Sequence, residues 1–242
     1  MIEILYVAWN RLEFTGLSWE LMIRNTNWDL VSKLTVYDDG STDGTLEFLR
    51  EHLDECPVER ELRISDLRSP VAVMNHFLAT ERDVLFAKVD NDILVPPHWL
   101  SLLARVMRDN PEVELLGCEA GQTQLPPQRA PRGGIKYGFE PSSHIGGVGL
   151  MRTSAFTTRP ALAVRGRFGF TEWQNRYLPV RGWITPDLLV PQLDRVPVAP
   201  WAELSQSYVE AGWQRDWPLM LRPWADRYWD WAIEADEWVE GE

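Results

Sequence analysis

The sequence is short of the residues that build covalent or metal-held frameworks. Its two cysteines, Cys56 and Cys118, stand far apart with no CxxC spacing, which excludes a disulfide framework and a cysteine zinc site and makes a reducing compartment the default. Of the four histidines, His76 and His98 have no partner at ligand spacing and read as structural. No apolar run approaches the roughly 20 residues needed to cross a bilayer. The first residues, Met1-Ile2-Glu3-Ile4-Leu5-Tyr6-Val7, lack the basic flank and small-residue cleavage site of a signal peptide. The expectation is a soluble, cytoplasmic protein. With 45% hydrophobic and 25% charged residues, wholesale disorder and fibrous repeats are excluded as well.

Charge is present but unevenly spread around a formal net of −12. Residues 1–128 carry 22 acids and 11 bases, and residues 200–242 carry ten acids and three bases. Between them, residues 129–181 carry nine bases and only Glu140 and Glu172 as acids. A polyanion is repelled by the whole, so nucleic acid is disfavoured as a partner, although the basic middle leaves a short track open. That middle suits a local anion such as a diphosphate; pairing of its arginines with acids of the first half is the plainer alternative.

Short apolar runs alternate with helix-like segments over the first 120 residues. Residues 2–8, 34–37, 62–64, 84–89 and 113–118 read as strands. Residues 12–24, 45–53, 71–79 and 99–108 carry the three- and four-residue apolar spacing of amphipathic helices. Asp43 or Thr42 is placed to cap the second helix, and Pro96-Pro97 prepares the fourth. Such alternation predicts an α/β fold with a mostly parallel sheet flanked by helices, whose ligands bind beyond the carboxyl ends of the strands. After Gly121 the chain turns to an irregular Pro-, Gly- and Arg-rich connection over residues 122–139, then strands at 145–151 and 183–190 around a short helix at 172–178. The division expected is residues 1–199 as one domain, split into halves at residue 120, and residues 200–242 as an acidic Trp-rich extension.

Two acidic clusters sit at predicted strand ends. Val36-Tyr37-Asp38-Asp39-Gly40-Ser41-Thr42-Asp43-Gly44-Thr45 is turn chemistry in part, but its adjacent carboxylates can also accept hydrogen bonds from a nucleobase N–H and from ribose hydroxyls. Asp90-Asn91-Asp92 follows the fourth strand. Carboxylates one residue apart offer hard oxygen ligands suited to Mn²⁺ or Mg²⁺.

Together these two spaced motifs resemble the family 2 glycosyltransferases of the GT-A fold, over roughly residues 1–190. The resemblance implies a Rossmann-like sheet with a nucleotide-sugar donor across its strand ends. It places Ala8, Trp9 and Asn10 in the nucleoside pocket, Asp38 and Asp39 on base and ribose, and Asp90, Asn91 and Asp92 around the metal–diphosphate. Asn75 falls in the family's Arg-Asn position, with Met74 where the arginine stands. Ile145-Gly146-Gly147-Val148-Gly149 resembles the glycine-containing strand beside donor sugar and acceptor; glycines also permit close backbone approach or a bulge.

Phe168-Gly169-Phe170-Thr171-Glu172-Trp173 resembles the segment that begins a helix with Glu-Asp, one of which is the catalytic base. Here the pair is Glu172-Trp173, and Glu172 takes the role as the sole carboxylate between Pro141 and Pro186; a glutamate favoured by the helix dipole is the alternative. Where the family often has a histidine as third metal ligand, Asp194 or Gln192 stands in. The implied function is metal-dependent transfer of a sugar from a nucleoside-diphosphate sugar to an acceptor hydroxyl on a glycan, protein or small molecule, with inversion. A retaining transferase, a non-catalytic carbohydrate-binding protein and a catalytically dead relative are the competing readings. A sugar-phosphate nucleotidyltransferase would carry a Gly-rich phosphate loop near the first strand, and Val7-Ala8-Trp9-Asn10-Arg11 has none. Seven of the 13 tryptophans lie beyond Pro200; packing on the catalytic domain or on a second copy is favoured over sugar stacking.

Overall fold

The computed structural model describes residues 1–80, 83–95, 98–118, 138–141, 145–160 and 169–185, which form eight strands and six α-helices with their connections. In chain order they are β1 (Ile2–Ala8), α1 (Leu12–Asn25), β2 (Val31–Asp38), α2 (Thr45–His52), β3 (Glu59–Ile64), α3 (Pro70–Leu78), β4 (Leu85–Asp90), α4 (Trp99–Asp109), β5 (Leu115–Gly117), β6 (Gly138–Pro141), β7 (Val148–Arg152), α5 (Thr153–Thr157), α6 (Gly169–Tyr177) and β8 (Arg181–Thr185). Asp194, Gln192, Pro96-Pro97, most of the 122–139 connection and the Trp-rich extension lie outside the described residues.

The sheet order is β3-β2-β1-β4-β7-β5-β8-β6. β1 to β4 are mutually parallel; β7 runs against β4 and β5, and β6 against β8. Every residue of β1 is buried, as expected of a central strand covered on both faces. Ile4, Tyr6 and Ala8 pack toward Trp19, Leu49, Trp99 and Leu103 on one face. Leu5 and Val7 pack with Val73, Phe77, Phe86, Phe156 and Trp173 on the other. The period-two alternation of strand side chains sorts the sequence into these two cores.

Several boundaries differ from the sequence reading, each for a local reason. β3 starts three residues before the expected 62, because Glu59, Arg60 and Glu61 make a charged edge strand that carries no apolar signal. Lys33 of β2 bridges Glu59 (3.1 Å) and Glu61 (3.0 Å), and Arg63 pairs with Glu61 at 2.7 Å. Such charge blunts an exposed sheet edge. β7 starts at Val148 rather than 145, because both backbone groups of Ile145 bond the side chain of Gln174 instead of a strand. α5 and β6 were not expected; one has five residues, the other four, too few for a period to show. β7 inserts antiparallel between β4 and β5, an order that local patterning does not encode.

Candidate active site

The carboxyl ends of β1, β2 and β4 meet in one corner. Ala8 lies beside Asp38 and Val7 beside Asp90 in the sheet register. The two acidic clusters therefore flank the tip of β1, about 10 Å apart at two strand spacings. Backbone bonds continue the pairing past the strands: Asp39 N–H donates to Ala8 O (2.9 Å), Asn91 N–H to Val7 O (3.1 Å), and Asp90 N–H to Gly147 O (3.1 Å). The Gly147 segment is thus brought onto the same corner.

Asp38 and Asp39 divide their work. Asp39 is buried, and its carboxylate accepts from Ser65 Oγ (2.8 Å), Leu67 N–H (2.8 Å) and Ser69 N–H (2.9 Å). It thereby anchors the loop between β3 and α3. Asp38 is also buried; one oxygen accepts Ser41 N–H at 3.0 Å, while Oδ2 has no hydrogen-bond partner. A buried acceptor left without a donor costs about 1–3 kcal/mol, so Asp38 Oδ2 is a place where a ligand N–H or O–H adds stability. Gly40 holds φ at +84°, and a Cβ there would crowd Asp66 Oδ1 at 3.3 Å.

The rest of the motif is architecture. Ser41 Oγ accepts Asn10 N–H (2.7 Å), and Thr42 N–H donates to Asn10 Oδ1 (2.8 Å). Asp43 reaches two helices: Oδ2 accepts Leu12 N–H of α1 (3.0 Å), and Oδ1 accepts Thr45 N–H of α2 (3.1 Å). It meets α2 at its first turn, whereas Thr42 turns to Asn10. These contacts hold Asn10 and Arg11 at positive φ, +52° and +66°, an uncommon state for side-chain-bearing residues.

Each acid of the second cluster meets a cation. Arg11 Nη1 donates to Asp92 Oδ2 at 2.7 Å, with Asp92 buried. Lys88, itself buried, is bonded through Nζ to Asp90 Oδ1. Burial pushes the Asp90 carboxyl above the usual carboxylate range and Asp92 adds to this, while Lys88 and Arg11 oppose it. Between the acids, Asn91 faces inward and donates to Asn10 O and Thr15 Oγ1, both at 2.8 Å. Its amide is therefore spent on the corner. Asp90 keeps 27% of its side chain exposed, and its Oδ2 lies 3.0 Å from where a Cβ on Gly147 would stand. That cradle is open only because residue 147 is glycine.

Among the described residues no cluster of three or more His, Cys, Asp or Glu forms a ready cation cage. Two carboxylates whose remaining partners come from phosphate oxygens and water are nevertheless a usual donor set for Mg²⁺ or Mn²⁺. With the Gly147 cradle, Asp90 and Asp92 fit such an ion.

Of the remaining expected residues, described contacts join only some to this corner. Trp9 is 54% exposed at the tip of β1, next to buried Ala8. Asn75 is half-buried on α3, and Met74 beside it packs into the core with Val73 and Phe77. Gly146 and Gly147 lie between Ile145 and β7. Glu172 is exposed in the first turn of α6. Its neighbour Trp173 is core, stacked on Phe156 at 4.9 Å and 10°. What ties α6 to the corner is Gln174, which accepts Ile145 N–H (3.0 Å) and donates to Ile145 O (2.8 Å). Positions 172 and 174 do not share a helix face, so the described contacts do not join Glu172 to the acids. Arg11, Lys88 and Gln174 were missed by the sequence reading. A lone lysine in a buried strand, on the same face as an acid two residues on, was a usable signal for Lys88; Arg11 and Gln174 meet partners 81 and 29 residues away.

The family model of glycosyl transferase family 2 matches residues 7–157, a span that holds both acidic clusters and the Gly147 segment. The chain belongs to that family. Among solved structures, it is similar to the mannosyltransferase PcManGT from Pyrobaculum calidifontis in complex with GDP-Man and Mn²⁺, with 14% identity and TM-score 0.61, covering 97% of this chain and 72% of that one. S. aureus TarS 1-349 aligns with 13% identity and TM-score 0.59 over 80% of this chain, which spans 60% of the TarS chain. GalNAc-T7 with UDP, GalNAc and Mn²⁺ aligns with 12% identity and TM-score 0.57, over 79% of this chain and 43% of that one. No curated protein matches the sequence. No helix among the described residues is long and apolar enough to cross a membrane.

Proposed function

We propose that the protein transfers a sugar from a nucleoside-diphosphate sugar to an acceptor hydroxyl, with the donor lying across the tips of β2, β1 and β4. The observation that carries this reading is the convergence of the two acidic clusters on either side of Ala8. Asp38 Oδ2, buried and without a donor, accepts an N–H of the base or a ribose hydroxyl. Trp9 offers an exposed flat face to the nucleoside beside Asn10. Asp39 sets the β3–α3 loop beside that pocket, and Asn75 of α3 is the candidate contact for ribose or phosphate.

Asp90 and Asp92 would hold Mn²⁺ or Mg²⁺ together with the diphosphate, and Asp194 is the candidate third ligand. When bound, the ion neutralises charge building on the departing diphosphate, a contribution of several kcal/mol. The Gly146-Gly147 backbone leaves room for the donor sugar beside Asp90. Glu172 takes the acceptor's proton as its oxygen attacks the anomeric carbon, giving inversion. Mn²⁺ in the PcManGT and GalNAc-T7 complexes, and UDP-GlcNAc and GDP-Man in those of TarS and PcManGT, support the metal and donor classes.

A retaining variant of the reaction draws support from Trp173, which is buried core where the family's acid pair has its second carboxylate. Release of nucleoside diphosphate from a panel of UDP- and GDP-sugars, with and without Mn²⁺, tests the reading. Metal-dependent release that falls by roughly a thousandfold in Asp92→Ala is expected. Release from no donor, or release indifferent to both metal and Asp92, overturns it. The anomeric configuration of the product by NMR separates inversion from retention.

A further inference from the structure

The two oxygens of Asp90 face different surroundings. Lys88 stands two residues earlier on β4, on the same face of the strand, and its Nζ donates to Oδ1. That lysine is 4% exposed, and β4 is paired on both sides at its position, with Leu5 of β1 and Gly149 of β7. Oδ2 instead lies beside Gly147, 3.0 Å from where a side chain would begin. The Asp90 backbone is tied as well. Its N–H donates to Gly147 O (3.1 Å), and its O accepts from Ile93 N–H (3.1 Å) and Ser18 Oγ (3.4 Å). With the backbone and Oδ1 both held, the carboxylate has one oxygen left to offer.

We propose, resting on the nucleotide-sugar reading above, that Lys88 is a positioning residue that sets the ion preference of the corner: by occupying Oδ1 it makes Asp90 a one-oxygen ligand, which suits Mn²⁺ or Mg²⁺ and disfavours Ca²⁺. Mg²⁺ demands a near-octahedral shell and takes one or two carboxylates, with phosphate oxygens and water for the rest; Mn²⁺ also suits octahedral oxygen sites. Ca²⁺ is larger, gathers more oxygens, and often grips a carboxylate by both. An ammonium has donors only and carries like charge, so a cation meeting both oxygens of Asp90 would sit against Nζ. Lys88 is too buried to extend its ammonium into water and clear the way. A lysine that merely neutralised charge would act on both divalent ions alike, since their charges are equal. One that blocks an oxygen separates them. The ratio of the two affinities therefore isolates geometry from charge.

Mn²⁺ binding to the full chain, read from the loss of its free EPR signal with UDP or GDP present, and displacement of that Mn²⁺ by Ca²⁺ test this without turnover. Ion held by the nucleotide in solution is subtracted, and the nucleotide's own preference is common to every variant. The wild type is expected to favour Mn²⁺ over Ca²⁺. Lys88→Met is expected to lower that ratio by about 10–100-fold, the usual scale for loss of an outer partner of a metal ligand. A ratio taken within one preparation does not depend on the fraction folded, and Lys88→Leu repeats the measurement if the methionine variant does not fold. A ratio unchanged in these variants, even where both affinities shift together, overturns the role of Lys88 and leaves the metal–donor reading standing. So does a wild type that binds Mn²⁺ without preference over Ca²⁺. A wild type that binds no Mn²⁺ with either nucleotide removes the metal part of that reading, and this inference with it.

Discussion

From β1 to β4 the polar tips are held by a net of bonds between neighbouring loops, with Asn10, Asp39, Asp43 and Asn91 each meeting two or more partners. From β5 to β8 the described approach to the same corner runs through the Asp90 N–H to Gly147 O bond, the amide pair of Gln174 with Ile145 and the Trp173–Phe156 stack. The first region is parallel and built of consecutive strand–helix units; the second mixes directions and pairs strands out of chain order. The difference teaches where tolerance lies: one side of the corner is fixed by bonds between the tips of consecutive strand–helix units, the other by the packing of strands paired out of chain order.

The largest effect expected from breaking this contrast is at Glu172. If the second region supplies the base, Glu172→Gln lowers turnover by about 10²–10⁴-fold with unchanged thermal stability, since the residue is exposed. Turnover close to wild type would leave the second region without the base assigned to it. Next comes Phe86, whose ring lies 5.4 Å from Phe77 of the first region and 5.4 Å from Phe156 of the second. Phe86→Ala is expected to cost about 3–5 kcal/mol, and urea unfolding followed by two probes should still show one transition. Two separated transitions would mean that the regions fold independently.

A smaller loss, about 1–3 kcal/mol for buried amide groups left unpaired, is expected for Gln174→Leu. Its sharper signature is a raised donor KM as Gly147 loosens from Asp90; an unchanged KM would detach that amide pair from the site. Smallest is Glu61, whose carboxyl is held down to about 2 by Arg63, with Lys33 assisting, from an ordinary 4.5. A depressed carboxyl stabilises the fold above the unfolded value and loses that contribution as pH falls. The deficit of Glu61→Gln in thermal melts should therefore be present at pH 7 and vanish between about pH 4.5 and pH 2. Because the ladder is partly exposed, the deficit should stay within about 1 kcal/mol and shrink with salt.

The same contrast governs what the sequence discloses. β1, α1, β2, α2 and β4 were legible within a few residues because their apolar periods are local, and the acidic clusters because each is contiguous. The described extension of β3 was hidden by its charges, and α5 by its length. Strand order around β7 was hidden because pairing across the sheet leaves no periodic trace. Within the corner, Asp38 and Asp39 read alike in sequence, yet Asp39 is fully engaged by Ser65, Leu67 and Ser69 while Asp38 keeps one oxygen open. Carboxylates of equal chemistry separate only when the donors around them are known. The expected division of the chain and the tryptophan-rich extension rest on residues outside the described set.

Asp43 places its two oxygens on the opening turns of two different helices. One side chain thus works as a pin through both, so the loop leading into α2 cannot swing outward without releasing the start of α1. Any breathing of the corner on that side therefore carries the starts of both helices with it.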